Sequence, residues 1–515
     1  MALSLKCNKF LRLSYLIRNL SRYSSNTTCE RKGLVLGVYS NEQNDGIELT
    51  PSAEKFNKKT QGRLLEQLKL AGNEVKAGKS FLFWGIDEEF QSVAVVGLGK
   101  KIPEQEEIEL ISQENESVRV AASAGCRALD AATVKNIFVE SFGNPESAAE
   151  GSLLGTWKFQ EYKSKKDPLP QVQLYDSDET SCSRWVQGSI KAESQNLARK
   201  LADTPSNLLT PTIFSKEIQN ILSPLGLTVQ IHEKEWAVQQ KMFSFLSVAK
   251  GSIEPPKFVE ISYSKGNTNE NPFVLVGKGV TFDSGGISLK PSASMDDMRA
   301  DMGGAAACVG AIFGLAKLNV EANIKLLIPM VENMPSGSAT KPGDIFTARN
   351  GKTICVNNTD AEGRLILADA LCYSSEFNPK WVLDVATLTG AVAVALGDAA
   401  TGVFSNSNAL YNDLENAGSH TGDRVWRMPL WKRYTKKVAE NTAYDVNNIS
   451  KSKGGGSCTA AAFLREFVPE KCNWMHLDIA GVMGPQDDTP YLSKGMTGRP
   501  TRTLIEFIKS QTDRC

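Results

Sequence analysis

Histidine is nearly absent from this chain: 515 residues hold three, His232, His420 and His476, and none lies near another. That scarcity excludes an HExxH zinc site outright. It leaves each histidine as a surface residue or a satisfied core residue. Cysteine pairs at CxxC spacing are missing too, although ten cysteines are present and several, such as Cys308, Cys355 and Cys372, lie among apolar neighbours. Buried free thiols in a reducing compartment account for that pattern better than a disulfide framework does. No apolar run approaches the roughly 18 uncharged residues of a membrane-spanning helix, so no span is expected. Net charge is also lacking, with 58 basic residues against 58 acidic ones. A nucleic-acid partner would call for a basic surplus, and none is visible.

What charge asymmetry exists sits at the start. Lys6, Lys9, Arg12, Arg18 and Arg22 precede the first acidic residue, Glu30, and Phe10, Leu13, Ile17 and Leu20 fall at helical spacing among serines. A basic, serine-rich, amphipathic segment without acids is the pattern of a mitochondrial targeting sequence. Residues 1–29 are therefore read as one, and a cytoplasmic location with a disordered tail is the alternative.

After this segment, short apolar runs alternate with amphipathic helices, which implies α/β architecture. KGLVLGVYS, FLFWGI, SVAVVGLGKK and KNIFVES supply strands of a smaller N-terminal α/β domain over 30–180. GLGKK there lacks the third glycine and the acidic partner of a dinucleotide fingerprint. A polar stretch follows, and a linking helix is expected over 181–204. From 205 to 515 the alternation resumes with FVEISYS, PFVLVGKG, NIKLLIPMVEN, WVLDVATLTG and WMHLDIAG, which predicts a larger C-terminal α/β domain around a central mixed, mostly parallel sheet. A long helix is predicted over about 296–318.

Open α/β sheets gather their chemistry at the carboxyl ends of strands. There GKGVTFDSGG sets Lys278 and Asp283 among glycines. It is no P-loop, because no glycine stands five positions before the Gly277–Lys278 pair and no hydroxyl residue follows the lysine. Lys290 lies in the next loop, and Asp301 is expected inside the helix that follows, just before Gly303, Gly304 and three alanines. Taken alone, Asp301 reads as a salt-bridge partner of a lysine or arginine. NTDAEGRL then packs Asp360, Glu362 and Arg364 into five residues at a turn-to-helix junction, where Thr359 or Asp360 is also a possible helix cap. Four carboxylates gathered in one site repel one another unless cations join them. An oxygen-rich set without histidine suits Mg, Mn, Co or Zn.

The ordered motifs GKGVTFDSGG, MRADMGGAA, ENMPSG, NTDAEGRL and ATLTGA, followed by CTAAAFL, HLDIAG and GMTGRPTRTLIEF, resemble the leucine aminopeptidase family, the cytosol aminopeptidases. The likeness extends from KGLVLGVYS to the end of the chain. It implies a metal-dependent aminopeptidase in which Lys278, Asp283, Asp301, Asp360 and Glu362 hold two divalent ions, zinc with Mn, Mg or Co possible at one site. Asp283 and Glu362 are then the bridging ligands. Lys290 and Arg364 fall on the family's two catalytic positions: Lys290 as an electrophile toward the scissile carbonyl, and Arg364 as the holder of a bicarbonate that shuttles a proton. Met298, Thr387 and Ala480 are implied to line an apolar pocket for the departing residue, favouring leucine. The resemblance further implies a homohexamer acting on peptides; because an apolar pocket discriminates only by about 1–3 kcal/mol per methylene, a dipeptide such as cysteinylglycine is a candidate substrate as well. The alternative from another class is a structural or assembly protein that keeps the aminopeptidase fold; loss of a ligand would favour it, and none of the seven metal and catalytic positions departs from the family pattern.

Overall fold

The computed structural model describes residues 31–41, 46–72, 75–101, 107–176, 178–451, 453–485, 489–492 and 494–512, so the proposed targeting segment lies outside the described residues. The chain forms two compact units, one made of Met1–Glu193 with Asp487–Lys494 and the other of Ser194–Gln486 with Gly495–Cys515. The helix read from sequence as a linker spans Glu179–Asp203, and the division falls within it.

In the first unit six strands form one sheet: β1 (Lys32–Asn41), β2 (Gly46–Leu49), β3 (Ser80–Trp84), β4 (Ser92–Lys100), β5 (Asn136–Val139) and β6 (Gln171–Leu174). Their order is β3-β4-β1-β5-β6, with β2 antiparallel on β1 and parallel pairing of β1 with both β4 and β5. Alternate residues of a strand face opposite sides, and β1 obeys this. Leu34, Leu36 and Val38 enter one apolar cluster with Phe56 and Leu64, whereas Val35 enters another beneath the helix Gln113–Ala131. Both faces being covered explains why β1 and β4 are nearly continuous apolar runs.

A late segment completes this unit. Tyr491, 1% exposed, donates through Oη to Glu116 at 2.9 Å, and Tyr491 and Leu492 pack with Leu154 and Ala192. Glu116 also accepts from Nε of the fully buried Arg119 at 2.9 Å, whose Nη1 lies 3.2 Å from Glu150.

The second unit adds β7 (Thr228–His232), β8 (Lys257–Ser264), β9 (Phe273–Gly277), β10 (Gly279–Asp283), β11 (Asn323–Asn333), β12 (Ile345–Thr347), β13 (Thr353–Cys355), β14 (Trp381–Ala386), β15 (Thr401–Ser405), β16 (Val425–Arg427), β17 (Val446–Asn447) and β18 (Asn473–Asp478). Nine of them make a mixed sheet in the order β16-β15-β18-β14-β9-β11-β8-β7, with β10 on β11; β12, β13 and β17 form a small separate sheet. Strands β18, β14, β9, β11 and β10 run parallel to their neighbours in that series. Their carboxyl ends therefore share one edge, and it is there that Lys278, Asp283, Asn333, Thr387 and Asp478 stand. Every residue of β9 and β14 is buried, as expected of central strands covered on both faces.

The helix predicted over 296–318 begins later. A 3-10 turn covers Met295–Ala300, and the α-helix is Gly303–Lys317, so Asp301 sits at the junction and not inside the helix. Close packing explains the late start. A Cβ on Gly304 would lie 2.0 Å from the carbonyl oxygen of Val385, so the helix can approach β14 only where side chains vanish. Its amino end is also pinned there: Ala305 N donates to Lys278 O at 3.0 Å. None of the described helices is long and apolar enough to cross a membrane.

Candidate metal centre

Asp283 ends β10, and its two oxygens do different work. Oδ1 accepts from Gly285 N at 2.9 Å and from Asn333 Nδ2 at 2.8 Å, while Oδ2 lies 2.8 Å from Lys290 Nζ. Lys278 follows β9, and its Nζ reaches Asp301 Oδ1 at 2.7 Å, Glu362 Oε1 at 2.9 Å and the Thr387 carbonyl at 2.8 Å. Glu362 immediately precedes the helix Gly363–Tyr373. Asp360, just ahead of it, pairs with Lys290. The cluster thus has two sides, Lys278 with Asp301 and Glu362, and Lys290 with Asp283 and Asp360.

Burial makes this crowding costly. Lys278, Asp283 and Glu362 are each 2% exposed. Carboxylate oxygens of Asp283, Asp301 and Glu362 all lie within 4.8 Å of one another. Burial and the Glu362 charge push the Asp283 carboxyl up to about 6, and burial drives Asp301 up as well. Against the same burial, Lys278 and Lys290 hold Glu362 below its ordinary range. Without a cation in the site, carboxylates hold both lysines as ammonium ions despite their own desolvation; Lys278 can serve as a metal ligand only after losing its proton, which a neighbouring cation favours.

Four carboxylates against two ammonium groups leave negative charge in a largely buried site, and Asp301 Oδ2 is buried without a hydrogen-bond partner. An unpaired buried carboxylate oxygen is expensive unless a cation reaches it. The donor set, all oxygen apart from one lysine nitrogen, suits hard or borderline divalent ions. The residues present therefore fit a metal centre.

Arg364 lies in the first turn of the helix after Glu362, buried, with Nη1 donating to the Asn448 carbonyl at 2.6 Å and Nε buried without a hydrogen-bond partner. Burial pulls its guanidinium down to about 10, with Glu362 and Asp478 opposing the change. Of the expected pocket residues, Thr387 touches the cluster directly, donating to Asp301 Oδ1 at 2.7 Å. Ala480 joins the same neighbourhood through Asp478, whose Oδ1 accepts from Ala480 N, Leu388 N and Thr389 N at 3.1–3.3 Å. Met298 is half-buried on the 3-10 turn, and its carbonyl accepts from Asp301 N at 3.3 Å.

Asn333 and Asp478 have no assigned role in the sequence reading, although both lie in quoted motifs. The signal for each is the one that exposes Asp283: a polar residue at the last position of an apolar strand, at the edge where neighbouring strands also end. His476 is a core residue with a partner. Its Nδ1 is 2.6 Å from Asp384, which also accepts from Trp474 Nε1 at 2.8 Å. Asp301 satisfies the plain expectation of a lysine partner.

Comparison with known proteins matches residues 196–505 to the cytosol aminopeptidase family catalytic domain and residues 35–166 to that family's N-terminal domain. The chain is 52% identical to the human cytosol aminopeptidase over 496 residues, which is 96% of this chain and 95% of that protein. It is 44% identical to the Dictyostelium discoideum cytosol aminopeptidase, covering 94% of each. Among solved structures, a mutant tomato leucine aminopeptidase superposes with a TM-score of 0.80 at 28% identity, covering 95% of both chains. A bottromycin maturation enzyme in complex with Mn gives 0.80 at 29% identity, covering 94% of this chain and 100% of that one.

Proposed function

Because the chain belongs to the cytosol aminopeptidase family, we propose that it removes N-terminal residues from peptides, preferring leucine and other apolar residues, at a two-metal centre. Lys278, Asp283, Asp301, Asp360 and Glu362 are the ligands in this reading. The observation that carries it is the buried meeting of Asp283, Asp301 and Glu362 at the carboxyl edge of the parallel strands, with charge in excess and one carboxylate oxygen unpartnered.

When bound, two divalent ions polarise a carbonyl and bring the pKa of a water close to neutrality. The chain's own groups do the rest. Lys290 projects from its loop with a side chain 20% exposed and stays cationic, so it can donate to the oxygen on which charge develops as the peptide bond is attacked. Arg364 has a planar fork of donors of which Nε is unengaged, so it would hold a planar oxyanion such as bicarbonate, a group that would supply a proton acceptor beside the centre. Thr387, fixed by Asp301, and Ala480, fixed by Asp478, form with Met298 the walls that receive the departing side chain. Such walls discriminate by about 1–3 kcal/mol per methylene, so preference for leucine is graded and not absolute.

Zinc, with manganese, magnesium or cobalt as alternatives at one site, is the metal we assign, in a homohexamer directed to mitochondria by residues 1–29. The test is hydrolysis of an aminoacyl-amide panel by the purified protein, with and without a chelator. Leucyl and methionyl amides should turn over fastest, chelation should abolish turnover, and added Zn or Mn should restore it. Turnover unaffected by chelation would sink the metal mechanism.

A further inference from the structure

The ENMPSG motif ends β11 on Asn333, a 4% exposed amide opposite Asp283 in the parallel β10–β11 register. Its side chain joins two ligand-bearing segments. Nδ2 donates to Asp283 Oδ1 at 2.8 Å and to the Thr359 carbonyl at 3.0 Å. Both acceptors are oxygens without a proton to give, so the NH2 end of the amide must face them. The main chain of Asn333 strengthens the tie, its carbonyl accepting from Ser284 N at 3.0 Å and Ser284 Oγ at 2.7 Å. Thr359 completes the link, donating through Oγ1 to the Gly285 carbonyl at 2.6 Å and accepting there from Ser288 N at 2.8 Å.

Two consequences follow. Asp283 Oδ1 takes two N–H donors, so its carboxylate plane is fixed and Oδ2 is the oxygen turned toward Lys290 and the centre. The same amide anchors the residue just before Asp360, which fixes the spacing between Asp283 and Asp360. The opposite side of the cluster has a different brace, the hydroxyl of Thr387 on Asp301.

We infer that Asn333 is a positioning residue for the two-metal centre: it orients Asp283, a ligand of both ions in the reading above, and registers it against Asp360, so the ion on the Asp360 side depends on it more than the ion on the Lys278–Asp301 side. This rests on the two-metal reading above. Partners that orient metal ligands typically matter by about 10- to 100-fold in metal affinity, and the effect here falls more heavily on one ion.

The experiment uses the full chain, stripped by a chelator and titrated with Mn(II) in a calorimeter, with bound metal counted by mass spectrometry. Asn333→Asp keeps the shape but turns a carboxylate oxygen toward Asp283; Asn333→Ala removes the donor alone. Expected for the wild type is uptake of two ions. Both variants should bind one ion about 10- to 100-fold more weakly and the other with a distinctly smaller loss, Asn333→Asp the more so. Their metal-free melting temperatures should stay near the wild type, and the activity lost should be recovered at high Mn(II). Two ions at wild-type affinity in both variants would overturn the inference, as would equal weakening of both ions. Failure of both variants to fold would assign Asn333 to the fold alone and overturn it likewise. No uptake by the wild type would instead refute the metal centre itself.

Discussion

Gly363 offers a test that separates the centre from the fold. It opens the helix Gly363–Tyr373, and a Cβ placed on it would lie 2.6 Å from Lys278 Cε, 2.8 Å from Nζ and 3.0 Å from Cδ. Carbon atoms rest at about 3.5–4.0 Å, so in Gly363→Ala the end of the lysine must move by roughly 1 Å. Its main chain cannot share the movement, because Lys278 N donates to Val385 O and Lys278 O accepts from Ala305 N, both at 3.0 Å. The shift therefore falls on the contacts of Nζ with Asp301, Glu362 and Thr387, now 2.7–2.9 Å. A misplacement of that size costs about 100-fold in rate, or about 2.7 kcal/mol of transition-state stabilisation. The fold should hardly notice, since the atoms nearest the added Cβ all belong to the far end of a flexible side chain and none is backbone. Gly304→Ala is the contrast, because its Cβ would meet a backbone carbonyl at 2.0 Å that cannot step aside; overpacking of this kind costs about 1–3 kcal/mol. The assay is kcat and KM on leucyl-p-nitroanilide beside bound metal and melting temperature for both variants. Gly363→Ala should lose activity with a nearly unchanged melting temperature, and Gly304→Ala should lose melting temperature. Wild-type kcat/KM and metal content in Gly363→Ala would refute the reasoning.

Lys290→Ala should lower kcat by about 100- to 1000-fold, the usual cost of one preorganised donor, with bound metal unchanged; a wild-type rate at normal metal content would remove Lys290 from the chemistry. Asp301→Ala should bind one metal fewer per chain, and equal occupancy in variant and wild type would take Asp301 out of the ligand set. The buried His476–Asp384 pair predicts a pH dependence of stability. Burial favours the neutral imidazole, but Asp384 at 2.6 Å outweighs it and raises the His476 pKa, with Asp478 adding to the rise and Arg364 opposing it. The folded protein then binds this proton more tightly than the unfolded chain, so the contribution is complete below pH about 6.5, the unfolded value, and is lost as pH rises through the raised one. The melting temperature of the wild type should fall across that window while that of Asp384→Asn does not; parallel slopes in the two proteins would exclude the pair as the cause.

Much of the site was legible because each ligand candidate interrupts an otherwise apolar context at a strand end or a helix start. Asp283 closes β10, Lys278 follows β9, and Asp360 and Glu362 precede a helix whose first residues are buried. Asp301 was legible only as an ambiguity, and its pairing with Lys278 shows why: a residue able to hold a cation finds an ammonium ion when no metal is considered. Its placement inside a helix failed for lack of a partner surface, since only the approach of Gly304 to Val385 shows where the helix must start. Asn333 and Asp478 escaped for a different reason. An amide and a strand-end carboxylate look alike in every α/β sequence until the register shows which neighbours they face. The long central strands of both units were readable from apolar runs, the short strands β2, β7, β12, β13, β15, β16 and β17 were not, and Pro490-Tyr491-Leu492 has no periodicity to announce that it belongs to the first unit.

That short segment bears on how the chain is made. A ribosome delivers Tyr491 and Leu492 last among the pieces of the first unit, after the whole intervening sequence of the second. At about 5–20 residues per second, the roughly 300 residues between Glu193 and Tyr491 take about 15–60 s to emerge. Throughout that interval Glu116 lacks its tyrosine and Leu154 its cover. The unit whose translation begins first thus stays open while most of the other emerges, and its nascent form must survive with an open seam throughout that interval.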